Sequence, residues 1–187
     1  MNGSVSLALV HFPVLDRRDA VVGASVTNLD LHDISRSART YGVQSFYVVT
    51  PFADQQQLVR EIVEHWTTGH GGNNNPDRCE AFSLVRLVDS VADAIDDSTR
   101  FFGERPLVLA TSARRQENTI DVGTLAGEQK KNRPLLLLLG TSWGLAPEIV
   151  RQSDHTLEPL MASGSYNHLS VRAAAAIILD RLWVALS

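Results

Sequence analysis

Residues 135–145 read LLLLLGTSWGL and lead into Pro147-Glu148, a pair that suits the first turn of a helix. A leucine run this short cannot cross a bilayer. Its unbroken apolarity is that of a strand covered on both faces, as in a parallel sheet. Gly140 and Gly144 then form a turn where a ligand can approach the backbone. That turn lies at the carboxyl end of a strand, where open α/β sheets place their sites. The stretch therefore demands further buried strands beside it and helices on both faces.

The rest of the chain supplies them. Ser4 to His11 (SVSLALVH), Phe46 to Thr50 (FYVVT), Phe82 to Val88, Leu107 to Thr111 (LVLAT) and Thr156 to Leu160 are the other short apolar runs. Helical patterns fall between or after them, at Leu31 to Tyr41, Gln55 to Thr67, Ser90 to Phe102, Val122 to Lys131 and Val171 to Leu186. This alternation predicts an α/β fold with a mostly parallel sheet between helical layers. Without an internal repeat or a long linker, residues 1–187 are expected to form one domain.

Composition narrows the function. With 187 residues, 44% of them hydrophobic and 20% charged, the chain can bury a core without disulfides or structural metal. Its one cysteine, Cys79, gives no sign of an oxidising compartment, and the N-terminus lacks the basic region of a signal peptide, so a cytoplasmic protein away from membranes is expected. A net charge of −4 argues against a basic nucleic-acid coat while allowing a local basic site. No GxGxxG follows the first strand, and P-loop, G-x-S-x-G, HExxH and cysteine-rich metal spacings are missing. Classical dinucleotide, NTPase, acyl-transfer and metal chemistry all lose support.

Three other segments carry polar chemistry. Residues 69–78 (GHGGNNNPDR) read either as a surface loop or as a mobile substrate loop at the sheet edge. Residues 160–170 (LMASGSYNHLS) precede an alanine-rich helix that Asn167, His168 or Ser170 can cap. In the first predicted helix, His32 titrates near neutrality and Asp33 stands next to it. They are candidates for a proton acceptor and its orienting carboxylate, the alternative being that Asp30 or Asp33 simply caps the helix.

LLLLLGTSWGLAPEIV and LEPLMASGSYNHLSVRAAAAIILDRL, in this order at the end of the chain, resemble the second and third motifs of the SPOUT superfamily of trefoil-knotted RNA methyltransferases. LDLHDISRSARTYGVQSFYVV is similar to the first motif, with Arg36 in the place of the motif's arginine. WTTGHGGNNNPDR and LATSAR extend the resemblance, specifically to the small single-domain bacterial branch of SAM-dependent RNA methyltransferases, over nearly the whole chain. Where the superfamily often has an asparagine before its arginine, this chain has Asp30, His32 and Asp33.

The resemblance implies a C-terminal trefoil knot, S-adenosylmethionine as cofactor, RNA (tRNA or rRNA) as methyl acceptor and a homodimer. Carried over by position, Thr111, Ser112, Gly140, Thr141, Gly144, Leu145, Leu160, Asn167, His168, Leu169 and Ser170 would surround the cofactor, with Leu145, Leu160 and Leu169 forming an apolar slot for adenine. Arg36 would anchor substrate, supplemented by Arg39, Asn75, Arg78 and Arg172. Trp183 and Leu186 on the last helix are candidates for the subunit contact or for the core. The rival readings are a methyltransferase of a non-RNA substrate, a non-catalytic SAM or RNA binding module, and a nucleotide-binding α/β protein of another topology.

Overall fold

Side chains alternate across a strand, so each strand here feeds two separate cores. Leu7, Leu9, Leu135, Leu137 and Leu139 belong to one; Ala8, Val10, Leu136 and Leu138 belong to the other. The computed structural model describes residues 5–128, 133–161 and 166–186. Its strands are β1 (Val5–Val10), β2 (Val14–Leu15), β3 (Val21–Val22), β4 (Ser45–Val49), β5 (Val85–Val88), β6 (Leu107–Ala110), β7 (Thr119–Ile120), β8 (Leu135–Gly140) and β9 (His155–Leu157). Its helices are α1 (Asn28–Thr40), α2 (Ala53–Thr67), α3 (His70–Asn74), α4 (Pro76–Phe82), α5 (Val91–Phe102), α6 (Val122–Glu128), α7 (Pro147–Gln152) and α8 (Val171–Leu186).

Seven strands form one sheet in the order β5-β4-β1-β8-β6-β9-β7, and every pair in it is parallel. β2 and β3 form a separate antiparallel hairpin. Residues of α1, α2, α4, α6 and α8 fill the core on one face, while α5, α7 and Val14 of the hairpin fill the other. The expected sheet between helical layers is thus present. Among the described residues no helix is long and apolar enough to cross a membrane.

β7 and the hairpin escape a reading based on apolar runs, while β9 falls where the run Thr156 to Leu160 is expected to form a strand. Phe82, expected to begin a strand, closes α4 instead. Helix α1 starts three residues before the expected Leu31, because Thr27 caps it: its hydroxyl accepts the Asp30 amide and donates to the Asp30 carboxylate at 2.7 Å. Neither Asp30 nor Asp33 is the cap. The last turn expected for Val122 to Lys131 runs past Glu128 to positions outside the described residues.

Residues 69–78 are mostly helical and do not form the expected loop. They build α3 and the start of α4, packed against α2. The glycines serve close approach: a Cβ on Gly71 would lie 2.6 Å from the His65 ring, and one on Gly72 would lie 2.6 Å from the Trp66 carbonyl oxygen.

β9 lies between β6 and β7, two strands joined directly by residues 111–118. Beyond β9, Asn167 donates to the Ala113 carbonyl at 3.2 Å, so the later chain meets the same connection again. The trefoil crossing expected from the sequence depends on residues 162–165, which lie outside the described residues.

His11, just past β1, is fully buried, and neither ring nitrogen has a hydrogen-bond partner among the described residues. Burial pushes its pKa below the ordinary 6.5, against opposing pulls from the Asp30 charge and the backbone at Ala24 and Ser25. The unfolded chain therefore takes up this proton more readily than the folded one. The His11 contribution to stability is complete above pH 6.5 and declines as pH falls below that value. Urea titrations between pH 8 and 5 should show the decline, and His11→Leu should flatten it.

Candidate functional site

The turn after β8 is stitched to the segment that follows β1. Thr141 donates both its amide, at 3.2 Å, and its hydroxyl, at 2.9 Å, to the Val10 carbonyl. Trp143 donates to Leu15 O, Leu15 to Gly144 O, and Ala146 to Pro13 O. Gly144 has φ +109°, a conformation costly for residues with a Cβ, and the space where a Cβ would stand is open. At Gly140 a Cβ would meet Leu145 N at 2.5 Å and the Gly144 carbonyl carbon at 2.7 Å, so this glycine lets the turn close on itself.

The segments 111–118 and 166–170 lie side by side. Thr111 donates its amide and hydroxyl to Leu138 O, at 3.1 and 2.9 Å. The Ser112 hydroxyl accepts the Arg114 amide at 3.0 Å. Of the three capping candidates, Ser170 caps α8, accepting the Ala173 amide on its hydroxyl at 3.2 Å. Asn167 holds Ala113, and the His168 ring packs edge-on to Tyr166 at 5.3 Å. The backbone amides and carbonyls of residues 166–169 make no hydrogen bond among the described residues. That exposed row of donors and acceptors suits recognition of an adenine edge. The side chains of the predicted apolar slot diverge: Leu145 is buried with the α5/α7 core, Leu160 packs on the opposite core, and Leu169 is exposed.

The first and third motif segments are joined by charge. Arg172, in the first turn of α8, contacts Asp30 at 2.9 Å and Asp33 at 3.4 Å in the first turns of α1. Further along both helices, the Tyr41 hydroxyl donates to Asp180 at 3.1 Å. The two helices therefore run side by side in the same direction.

This arrangement redistributes the predicted roles. Arg172 is committed to carboxylates, Arg39 pairs with Glu80, and Asn75 caps α4 by accepting the Arg78 amide at 3.0 Å. Asp33 faces Arg172 and does not orient His32. The imidazole of His32 packs edge-on to Trp66 at 5.2 Å and Phe82 at 4.8 Å, and its Nδ1 is buried without a hydrogen-bond partner among the described residues. Burial, then the nearby Arg78, lowers the His32 pKa; Asp33 opposes this while Arg36 and His65 add to it, so the ring is neutral at pH 7. Arg36 is exposed, and its guanidinium makes no ion pair or hydrogen bond among the described residues. Among the described residues, no three His, Cys, Asp or Glu side chains gather as a metal ion would require.

The family model described as SAM-dependent RNA methyltransferase matches residues 4–184. The chain belongs to this family. S-adenosylmethionine is the family's cofactor, as the three motifs imply. A tRNA (guanine-N(1)-)-methyltransferase of Nitratidesulfovibrio vulgaris is 48% identical over 175 residues, which are 94% of this chain and 41% of that protein. The chain spans about two fifths of the length of the curated relatives it matches first. An uncharacterized protein of Aquifex aeolicus is 39% identical over 98% of this chain and 90% of its own length. In fold, the chain resembles the SpoU methyltransferase AviRb of Streptomyces viridochromogenes in complex with AdoMet, with TM-score 0.62 and 19% identity over 96% of this chain and 56% of that one.

Sequence reasoning missed Thr27 and the Trp66–Phe82 aromatic cluster. The spacing Thr27-Asn28-Leu29-Asp30 carries a legible capping signal. Nothing in the spacing announces that Trp66 meets His32 from another helix.

Because backbone lies against Gly140 on the side its Cβ would occupy, Gly140→Ala should force the turn open and cost about 1–3 kcal/mol of stability. Urea denaturation checks this. A wild-type midpoint in the variant would show that the turn has slack.

Proposed function

We propose that this chain transfers a methyl group from S-adenosylmethionine to RNA, with tRNA the favoured acceptor. The observation that carries the reading is the Arg172 bridge to Asp30 and Asp33. It seats the helix bearing the unpaired Arg36 against the helix that follows the segment with unpaired backbone groups. A substrate anchor and a cofactor-reading edge are thereby held in one rigid relation, the positioning that an in-line displacement needs.

When bound, S-adenosylmethionine supplies an electrophilic methyl carbon on a sulfonium. The backbone of residues 166–169, the turn at Gly140 to Leu145 and the Thr111-Ser112 segment would hold it, with Leu160, Asn167 and Ser170 shaping the same edge. Arg36 would grip a phosphate or a base edge of the RNA through its planar guanidinium. His32, neutral at pH 7, is the proton acceptor this reading favours over the paired Asp33.

Two longer relatives named as tRNA (guanine-N(1)-)-methyltransferases support tRNA as the acceptor. Their name belongs to proteins of which this chain spans 41%, so the base and atom are not carried over. The same reading includes a single SPOUT domain with a trefoil knot and a cytoplasmic setting. It also includes a homodimer, for which the exposed Ile177, Trp183 and Val184 of α8 offer contact surface while Leu186 packs on the core.

The test separates cofactor binding from transfer. Calorimetry should show that Arg36→Ala binds S-adenosylmethionine within a few fold of wild type. Transfer of a labelled methyl group to an unmodified tRNA transcript should fall by roughly two orders of magnitude. A fully active Arg36→Ala removes the anchor, and a wild-type protein that does not bind the cofactor overturns the function.

A further inference from the structure

We propose that Arg78, held over the face of Trp66, docks a backbone phosphate of the RNA, adjacent to the Arg36 anchor. The inference rests on the RNA reading above and adds a second, independently placed cation to it.

The guanidinium carbon of Arg78 stands 4.6 Å from the centroid of the Trp66 ring. That geometry is a cation–π contact. It orients a guanidinium without cancelling its charge, unlike the carboxylates that engage Arg39, Arg105 and Arg172. Arg78 makes no side-chain hydrogen bond or ion pair among the described residues, and its Nε is buried with no acceptor. A half-buried guanidinium left in that state is unusual and points to a partner from outside the chain.

The platform beneath it is rigid. Trp66 is fixed edge-on by His32 and His65 and stacked with Phe82 at an interplanar angle of 29°, while the backbone of Gly71 and Gly72 presses against it closely enough to exclude a Cβ. An anion meeting Arg78 would therefore find the cation already oriented, with little entropy left to lose.

The charges of Arg78 and Arg36 both act on the His32 ring and Asp33 opposes them, so the two guanidinium groups stand near one another where α1 and α4 pack together. Arg36 and Arg78 sit on different helices, each without a carboxylate partner among the described residues. A guanidinium that meets only a backbone phosphate carries charge and register without sequence.

Fluorescence anisotropy with a labelled, unmodified tRNA transcript, at saturating S-adenosylhomocysteine and over a salt series, tests the proposal. Arg78→Gln should raise the Kd about three- to tenfold at low salt and make the slope of log K against log salt shallower by roughly one. Cofactor affinity should stay unchanged and Tm should fall by only a few degrees with the lost cation–π contact, Arg78→Lys should keep the slope, and Arg60→Gln should match wild type. A second readout leaves Arg78 intact: in Trp143→Phe/Trp183→Phe protein, emission from the remaining Trp66 should change when the transcript binds. An unchanged slope in Arg78→Gln, or unchanged Trp66 emission, overturns the site. Equally tight, Arg78-dependent binding of uridine monophosphate would mark a free-nucleotide site and overturn it too. If methyl transfer persists while the slope is unchanged, only this site falls; if wild type neither binds nor methylates RNA, the function falls with it.

Discussion

One carbonyl oxygen holds the centre of the molecule together. Val10 O receives the amide and the hydroxyl of Thr141, at the point where the two innermost strands end in register, Val10 opposite Gly140. That contact turns the chain out of β8 and brings it against residues 13–15, which hold it through three further backbone hydrogen bonds. The carboxyl edge of the sheet is therefore a fixed rim on which the functional segments rest. Each strand beside it is clamped by apolar cores on both faces, so the rim inherits the stiffness of the sheet.

Two kinds of contact divide the work around that rim. Buried apolar packing sets where α1 and α8 lie, and the charged bridge from Arg172 to Asp30 and Asp33 sets how their first turns face each other. Asp30 is only 7% exposed, and its carboxylate serves Thr27 as well as Arg172. Removing Arg172 would leave a largely buried carboxylate with one neutral donor, so this bridge is costlier to break than a surface pair of the same length. Arg36 and Arg78 are among the cations on this face that no carboxylate claims among the described residues.

The long strands were legible because burial on both faces writes an unbroken apolar run, as in LLLLL at 135–139 and LALV at 7–10. β2, β3 and β7 have two residues each, too few to leave a pattern. The glycines at 69–72 were read through their turn preference, whereas sterics against Trp66 decide their place, and sterics between helices leave no local trace. Within the site, the turn glycines and Arg36 were visible as local motifs. The pairing of Arg172 with Asp30 spans 142 positions, and the fate of each arginine depended on which carboxylates the fold brought within reach. Sequence could nominate the arginines; only the packing of α1, α4 and α8 could sort the paired from the unpaired.

The position of β9 has a consequence for how the chain acquires this structure. β7 pairs with β9 alone, Thr119 opposite Thr156 and Ile120 opposite Leu157. On a ribosome, residues 119–120 emerge more than thirty positions before their partner, and the gap beside β6 has to stay open until then. Closing that gap early would trap a sheet whose edge is β6. The sheet can thus be completed only from its C-terminal side, and the slowest assembly event should be the entry of His155–Leu157 between two strands already joined by a short connection. Nascent chains that stop short of β9 would carry β6 as an unpaired edge of Leu107–Ala110, an apolar strand open to association with other chains.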